Sequence, residues 1–303
     1  MPHLMKYSPL ISINLSVNNS EISYRSFLFT RKLEISLLIS VVSFHEIPQN
    51  RLILLGASNL TLSLRLVTHL MQQRIGAPGE VFAAAGHGRA YGVFSQVVWR
   101  GLPGIAECGL WRQLNAMESR PTYALLTDIG NDIVYELTPE QVLRAVERCI
   151  DQLQRQSAQI VVTNLPMASV ERLSERRYTF FRNLFYPFCK LSRDETLSRV
   201  RAVHAGLVDM AVRRQFLLVE QEAHWFGPDG IHVNYWRREA FYRDIVRWFP
   251  DSGAKPEHWD DRRKFFLTWQ RRPVFAFKTV LGRAIHCPQP SGQLADGSAI
   301  CKF

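Results

Sequence analysis

The chain has 303 residues, 47% of them apolar and 21% charged, with a formal net charge of +10. That apolar share excludes wholesale disorder. The 17 glycines and 15 prolines exclude a collagen-like or low-complexity chain, and no run approaches the roughly 20 apolar residues that cross a bilayer. The basic balance leaves nucleic acid and anionic surfaces open as partners.

Residues 1–50 have no clear hydrophobic period and read as a leader, either disordered or upstream of the true start. Their apolar stretch at 35–44 lies too far from Met1 for a signal peptide and has no small-residue cleavage site, so a cytoplasmic setting is expected. From Arg51 the texture changes. Residues 51–56 (RLILLG) form a buried-strand run that ends on glycine, and 60–74 have helical apolar spacing. Residues 80–86 (EVFAAAG) and 121–130 (PTYALLTDIG) are further strands. An amphipathic helix over 138–156 follows, with Thr138 as N-cap, Pro139 at its first turn and Gln141 closing a capping box. A strand at 159–166 comes next, then an aromatic and basic connection at 175–190, which reads as a lid or connecting helix beside a site mouth. A helix over 194–215, a strand at 216–220 and a helix over 234–249 complete the series. Strands alternating with helices specify an α/β fold: a three-layer α/β/α sandwich, flavodoxin-like, with about five parallel strands. The domain expected is 51–250, followed by a basic aromatic extension, 251–303, packing back on it. That extension holds 9 Lys+Arg against 5 Asp+Glu. The five cysteines (Cys108, Cys149, Cys189, Cys287 and Cys301) form no CxxC pair, so free thiols are expected rather than a zinc ribbon or a disulfide framework.

In open α/β sheets chemistry gathers in the loops after the strands. After the first strand stands Ser58, in Gly56-Ala57-Ser58-Asn59-Leu60. Alone it is readable as an N-cap, and Leu60 rules out the G-x-S-x-G elbow. After the second comes Gly86-His87-Gly88, where a glycine lets a backbone N–H approach a substrate oxygen. After the third, Asn131 and Asp132 stand in Asp128-Ile129-Gly130-Asn131-Asp132. After the fifth, Asp229 precedes His232 by three residues, a spacing that sets a carboxylate against an imidazole nitrogen and leaves the other nitrogen as a base.

These four loops, in this order, resemble the SGNH/GDSL hydrolases, a family of serine esterases, lipases, thioesterases and carbohydrate deacetylases. The resemblance spans roughly residues 51–249 and departs from the family in Ala57, where the G-D-S-L pattern has aspartate, in the alanines before Gly86, and in Ile129. It implies a serine ester or thioester hydrolase (EC 3.1) with Ser58 as nucleophile, His232 as base and Asp229 orienting it. The oxyanion donors would be Ser58, Asn131 and Gly88, with Gly86 as the alternative. It implies no metal or organic cofactor. Small-molecule, carbohydrate or lipid esters are the expected partners, and nucleic acid is not. His87, His224 and Trp225 are candidate substrate contacts. Two other readings stay open: an acyltransferase using the same residues, and a non-catalytic basic binding module.

Overall fold

The computed structural model describes residues 48–251 and 269–303; residues 1–47, and with them nearly all of the expected leader at 1–50, lie outside the described residues, as does the stretch 252–268 of the expected extension. The first strand, β1 (Asn50–Gly56), is followed by α1 (Ser58–Ile75), β2 (Gly79–Ala85) and a hairpin of β3 (Ser95–Val97) and β4 (Arg100–Leu102). Then come α2 (Leu110–Asn115), β5 (Thr122–Leu126), α3 (Asn131–Val134), α4 (Pro139–Arg155), β6 (Gln159–Thr163), α5 (Met167–Val170), α6 (Glu175–Phe185), α7 (Arg193–Arg214), β7 (Leu217–Val219) and α8 (Arg238–Val246). Five short strands close the series: β8 (Trp269–Arg271), β9 (Phe277–Val280), β10 (Arg283–His286), β11 (Gly292–Leu294) and β12 (Ala299–Lys302).

The main sheet has the order β7-β6-β5-β1-β2-β12-β11-β8. The stretch from β7 to β12 is parallel throughout, so there are six parallel strands where the sequence suggests about five. The additional one is β12, which lies beside β2 in the register Ala299↔Glu80 to Lys302↔Ala83. Beyond it β11 and β8 run antiparallel. The other five parallel strands stand in the flavodoxin-like order, second-first-third-fourth-fifth, so the chain reverses its direction of travel between β1 and β5. That switch point is where open α/β sheets leave a crevice.

Both faces of the sheet are covered, which is why the strands read as continuous apolar runs rather than alternating ones. Leu52 and Leu54 of β1 pack with Leu60, Leu64 and Val67 of α1 and with Phe241 and Ile245 of α8. Ile53 and Leu55, pointing the other way, pack with Val142, Val146 and Ile150 of α4 and Val203 and Leu207 of α7. The boundaries of α4 follow from its capping box, in which the Gln141 amide N–H donates to the Thr138 hydroxyl and the Thr138 N–H to the Gln141 side chain at 2.8 Å. Helix α7 crosses α4 at Gly206, where a Cβ would lie 2.3 Å from Leu143 Cδ1. All five cysteines are free thiols, four of them buried.

A second, four-stranded sheet, β10-β9-β4-β3, joins the hairpin after β2 to strands from the C-terminal segment. That segment is locked to the body at Ser298, fully buried. Its hydroxyl accepts from Gln72 Nε2 of α1 at 2.6 Å and from the Gly79 N–H at 3.0 Å. Among the described residues no helix is long and apolar enough to cross a membrane. Ser298→Ala leaves two buried donors without an acceptor, so it should lower unfolding free energy by about 1–3 kcal/mol in urea titrations.

Candidate active site

Helix α1 begins at Ser58 with Ala57 as its N-cap residue, and Ala57 has no side chain to accept from the first-turn N–H groups. The sequence offers Ser58 itself as the cap. The structure gives that duty to Asp128, in the loop after β5. Asp128 Oδ2 accepts from the Ala57 N–H at 2.9 Å and the Leu60 N–H at 3.2 Å, and its Oδ1 accepts from Asn59 Nδ2 at 2.9 Å. A carboxylate here satisfies an orphan helix amide and meets the positive end of the helix dipole. Asp128 holds a positive φ of 60° to reach it, a conformation that Asp tolerates better than most residues. The Ser58 hydroxyl is thereby free for another partner.

That partner is His232. Ser58 Oγ lies 2.9 Å from His232 Nε2, and His232 Nδ1 lies 2.6 Å from Asp229 Oδ2. With the ring proton on Nδ1 donated to Asp229, Nε2 accepts from the serine hydroxyl. The turn carrying Asp229 and His232 is closed by an antiparallel bridge between Phe226 and Val233 and by the Gly227 N–H donating to the His232 carbonyl at 2.8 Å. Gly230 gives the turn its positive φ of 76°. Asp229 Oδ1 accepts from the N–H groups of Ile231 and His232, at 3.1 and 2.9 Å. Burial alone would raise the carboxyl's pKa, but the imidazole and these two amides outweigh it and hold the pKa below the usual carboxylate range. Asp229 therefore stays ionised beside the ring. Phe185 of α6 lies edge-on to the His232 ring at 5.4 Å between centroids.

Asn59 laces these loops together. Besides Asp128 it donates to the Ile231 carbonyl at 2.9 Å, and its Oδ1 accepts from the Val233 N–H at 2.9 Å. Asn131 lines the same pocket as Ser58, together with Asn59, Asp128, Gly130, Pro166, Gln221, Phe226 and Ile231. Its Nδ2 donates to the Arg89 carbonyl at 3.0 Å, and its Oδ1 accepts from the Tyr186 hydroxyl at 2.9 Å. Burial raises the Tyr186 pKa far above its ordinary value, which keeps the phenol a donor. With both ends of the amide engaged, its orientation is fixed and one N–H of Nδ2 remains.

Asp132 does not face the pocket. Its buried carboxylate accepts from the Tyr91 and Gly92 N–H groups at 2.8 and 2.7 Å, pinning the loop after β2, and burial raises its pKa to about 6. In that loop Gly86 directly follows β2, so the register Gly56↔Ala85 brings it abreast of Ala57. Gly88 has φ 64°, and its carbonyl accepts from the Tyr135 hydroxyl at 2.9 Å. His87 is exposed, and partial desolvation, then Arg100, His232 and Lys302, lowers its pKa. His224 and Trp225 are placed elsewhere. The His224 ring pairs with Glu222 at 3.1 Å and lies over Trp225, which packs on Phe241 of α8. Their neighbour Phe226 lines the pocket instead. Asn59, Asp128 and Tyr186 are the residues sequence reasoning missed. The one available signal was Ala57, a helix start with no cap of its own. Among the described residues no cluster of His, Cys, Asp and Glu could hold a metal ion.

Comparison with family models finds no match, and comparison with curated proteins finds none. Solved structures similar to the chain include a carbohydrate acetylesterase family member from Sinorhizobium meliloti, at 14% identity and TM-score 0.47, covering 65% of this chain and 95% of that one. An aryl esterase from M. smegmatis aligns at 15% identity and TM-score 0.45, covering 65% and 95%. A member of the lipolytic protein G-D-S-L family from Veillonella parvula aligns at 13% and 0.39, covering 65% and 94%.

Asp128→Ala strands the amides of Ala57 and Leu60 and the Asn59 side chain, so urea unfolding should show a loss of about 2–3 kcal/mol. Because the Asp229 carboxyl pKa is lowered by folding, its contribution to stability is present above the unfolded-state value of about 4 and is lost as pH falls through the folded value. Thermal scans below pH 4 should therefore fall less steeply with pH for Asp229→Asn than for the parent.

Proposed function

We propose that the protein is a serine ester hydrolase of the SGNH/GDSL type. The reading is carried by the hydrogen-bonded series Ser58 Oγ to His232 Nε2 to Asp229 Oδ2, at 2.9 and 2.6 Å. It joins residues 174 positions apart at the sheet's switch point.

In this mechanism Ser58 Oγ attacks the carbonyl carbon of an ester or thioester while its proton passes to His232 Nε2. Asp229 keeps the ring in the required tautomer and stabilises the imidazolium without taking its proton. Negative charge on the carbonyl oxygen is met by the backbone N–H of Ser58, the remaining Nδ2 proton of Asn131 and the backbone N–H of Gly88, with Gly86 as the alternative donor. His232 then protonates the leaving alcohol or thiol. In the second half it activates water, which attacks the acyl-serine and releases the acid. An apolar pocket under α6, lined by Val134, Leu173, Phe181 and Phe185, shares Ile231 with the pocket at Ser58 and suits an apolar acyl group.

A fluorophosphonate probe should label the folded protein at Ser58. Ser58→Ala should lose the label and roughly 10⁴-fold or more of its kcat on 4-nitrophenyl acetate, with Tm unchanged because the hydroxyl caps nothing. Equal hydrolysis by Ser58→Ala and parent would overturn the assignment. Asn131→Ala should lose about 10²–10³ in kcat with KM little altered, since the donor acts on charge that develops only in the transition state.

A further inference from the structure

Beside the His87 loop stands a group of cations. Arg100 of β4 donates from Nη2 to the His87 carbonyl at 3.3 Å, and its guanidinium carbon lies 5.5 Å from the centroid of the Phe275 ring. The ammonium of Lys302, on β12, lies 4.2 Å from the same centroid. Lys278 is on β9, which pairs with the β4 strand of Arg100, and it opposes the charge on Lys302. Arg89 belongs to the same neighbourhood but is engaged, donating to the Pro103 carbonyl at 3.0 and 3.1 Å and to the Phe303 carbonyl. The other three have no such closure. The Arg100 Nε is buried without a hydrogen-bond partner. Among the described residues no Asp or Glu pairs with Arg100, Lys278 or Lys302, and the influences on Arg100 and Lys302 include no Asp or Glu.

Like charges held together in a partly buried place repel with little screening. A ring shared by two cations offsets only part of that. The effect is visible on Lys302, whose pKa burial first, then Arg100, Arg89 and Lys278, lowers to about 8. Such a cluster is completed by an anion. All three side chains are partly exposed, so a ligand reaches them from solvent. Through the His87 carbonyl Arg100 is tied to the loop that carries Gly88, and Arg100, His232 and Lys302 all oppose a charge on the His87 ring, so the cluster borders the proposed site.

We propose that Arg100, Lys278 and Lys302 form a subsite for an oxyanion group, a carboxylate or phosphate, carried by the ester substrate. The proposal rests on the ester-hydrolase reading and adds the substrate class: an ester with a negative charge a few bonds from the scissile carbonyl. The guanidinium supplies directed N–H donors and the two ammonium groups supply charge.

Two matched pairs of esters test it and tell which side of the scissile bond carries the charge. Mono-4-nitrophenyl glutarate against 4-nitrophenyl valerate places the carboxylate on the acyl side, and 3-acetoxybenzoate against phenyl acetate places it on the leaving group. One of the two pairs should favour the anionic ester at least tenfold in kcat/KM. That ratio should drop about tenfold or more in Arg100→Gln and, separately, in Lys302→Met, two variants that keep a stem against Phe275. The ratio should also fall as pH rises from 7 to 9. Lys302 loses its charge there, while Arg89 and Arg100, which face it, keep theirs and His87 is already neutral. Ratios near unity in both pairs, or ratios unmoved by both substitutions, would sink the subsite while leaving the hydrolase standing. Calorimetric titration of glutarate and of inorganic phosphate into the parent and both variants separates the two readings. Binding that weakens in the variants, from a protein that hydrolyses none of the four esters, would uphold the subsite and overturn the hydrolase. Absent binding together with unbiased hydrolysis would do the reverse.

Discussion

The carboxylate of Asp128 holds the start of α1 in place. It sits where the loop after β5 passes the loop after β1, and it accepts from two amides around the helix start and from the Asn59 side chain. Asn59 passes the restraint on to the backbone on either side of His232. Three loops that are remote in sequence thus share one hydrogen-bonded knot, and the Ser58 and His232 side chains project from it. A hydrogen bond between a hydroxyl and an imidazole is worth little alone. Its geometry holds here because the groups behind it are fixed by charge-assisted bonds to backbone, which are stronger and shorter than neutral ones. The same logic recurs across the pocket, where Asp132 pins the loop after β2 and Tyr186 and the Arg89 carbonyl pin the Asn131 amide.

Strands buried on both faces leave a plain trace in a sequence, and β1, β2, β5 and β6 were legible for that reason. Helix α4 was legible to within a residue because Thr138 and Gln141 form a local capping box, which needs no tertiary partner. The strands of the C-terminal segment were not. They are three or four residues long, too short to show a hydrophobic period, and the pairings that join them to the body, β12 with β2 and β9 with β4, reach far back in the chain. The basic extension expected from 251 onward turns out, in its described part, to supply strands to both sheets. Ser58, Asn131, Asp229 and His232 were legible as polar residues in loops after strands; Ser58 and Asn131 line one pocket, and hydrogen bonds join Ser58 to His232 and His232 to Asp229. Asp128 and Asn59 were not, since an Asp or Asn in a loop has many local uses and theirs is tertiary. His224 and Trp225 were singled out for closeness in sequence to Asp229, but the bridge at Phe226 turns the chain between them.

The net charge of +10 also takes on structure. Many exposed arginines are matched, as Arg214 is by Glu147 and Asp151 and Arg243 by Glu239. Pairs of that kind contribute little to stability. The informative cations are those near His87 that are half-buried and unmatched, because a charge without a counter-charge in such a place is costly unless something else supplies one.

The position of β12 bears on how the molecule is made. Its partner β2 lies more than 200 residues earlier in the chain, yet the two run side by side in the sheet. At ribosomal rates of 5–20 residues per second, roughly 10–40 s separate the emergence of the two strands. Throughout that interval the outer edge of β2 has backbone groups without their eventual partner, the condition in which sheet edges recruit other chains. The loop that leads from β2 past His87 must also wait, because Arg89 finds its Phe303 acceptor only when the segment containing β12 arrives. Completion of the β2 edge and of the Arg89 contact is therefore tied to a late, long-range event in the making of the chain.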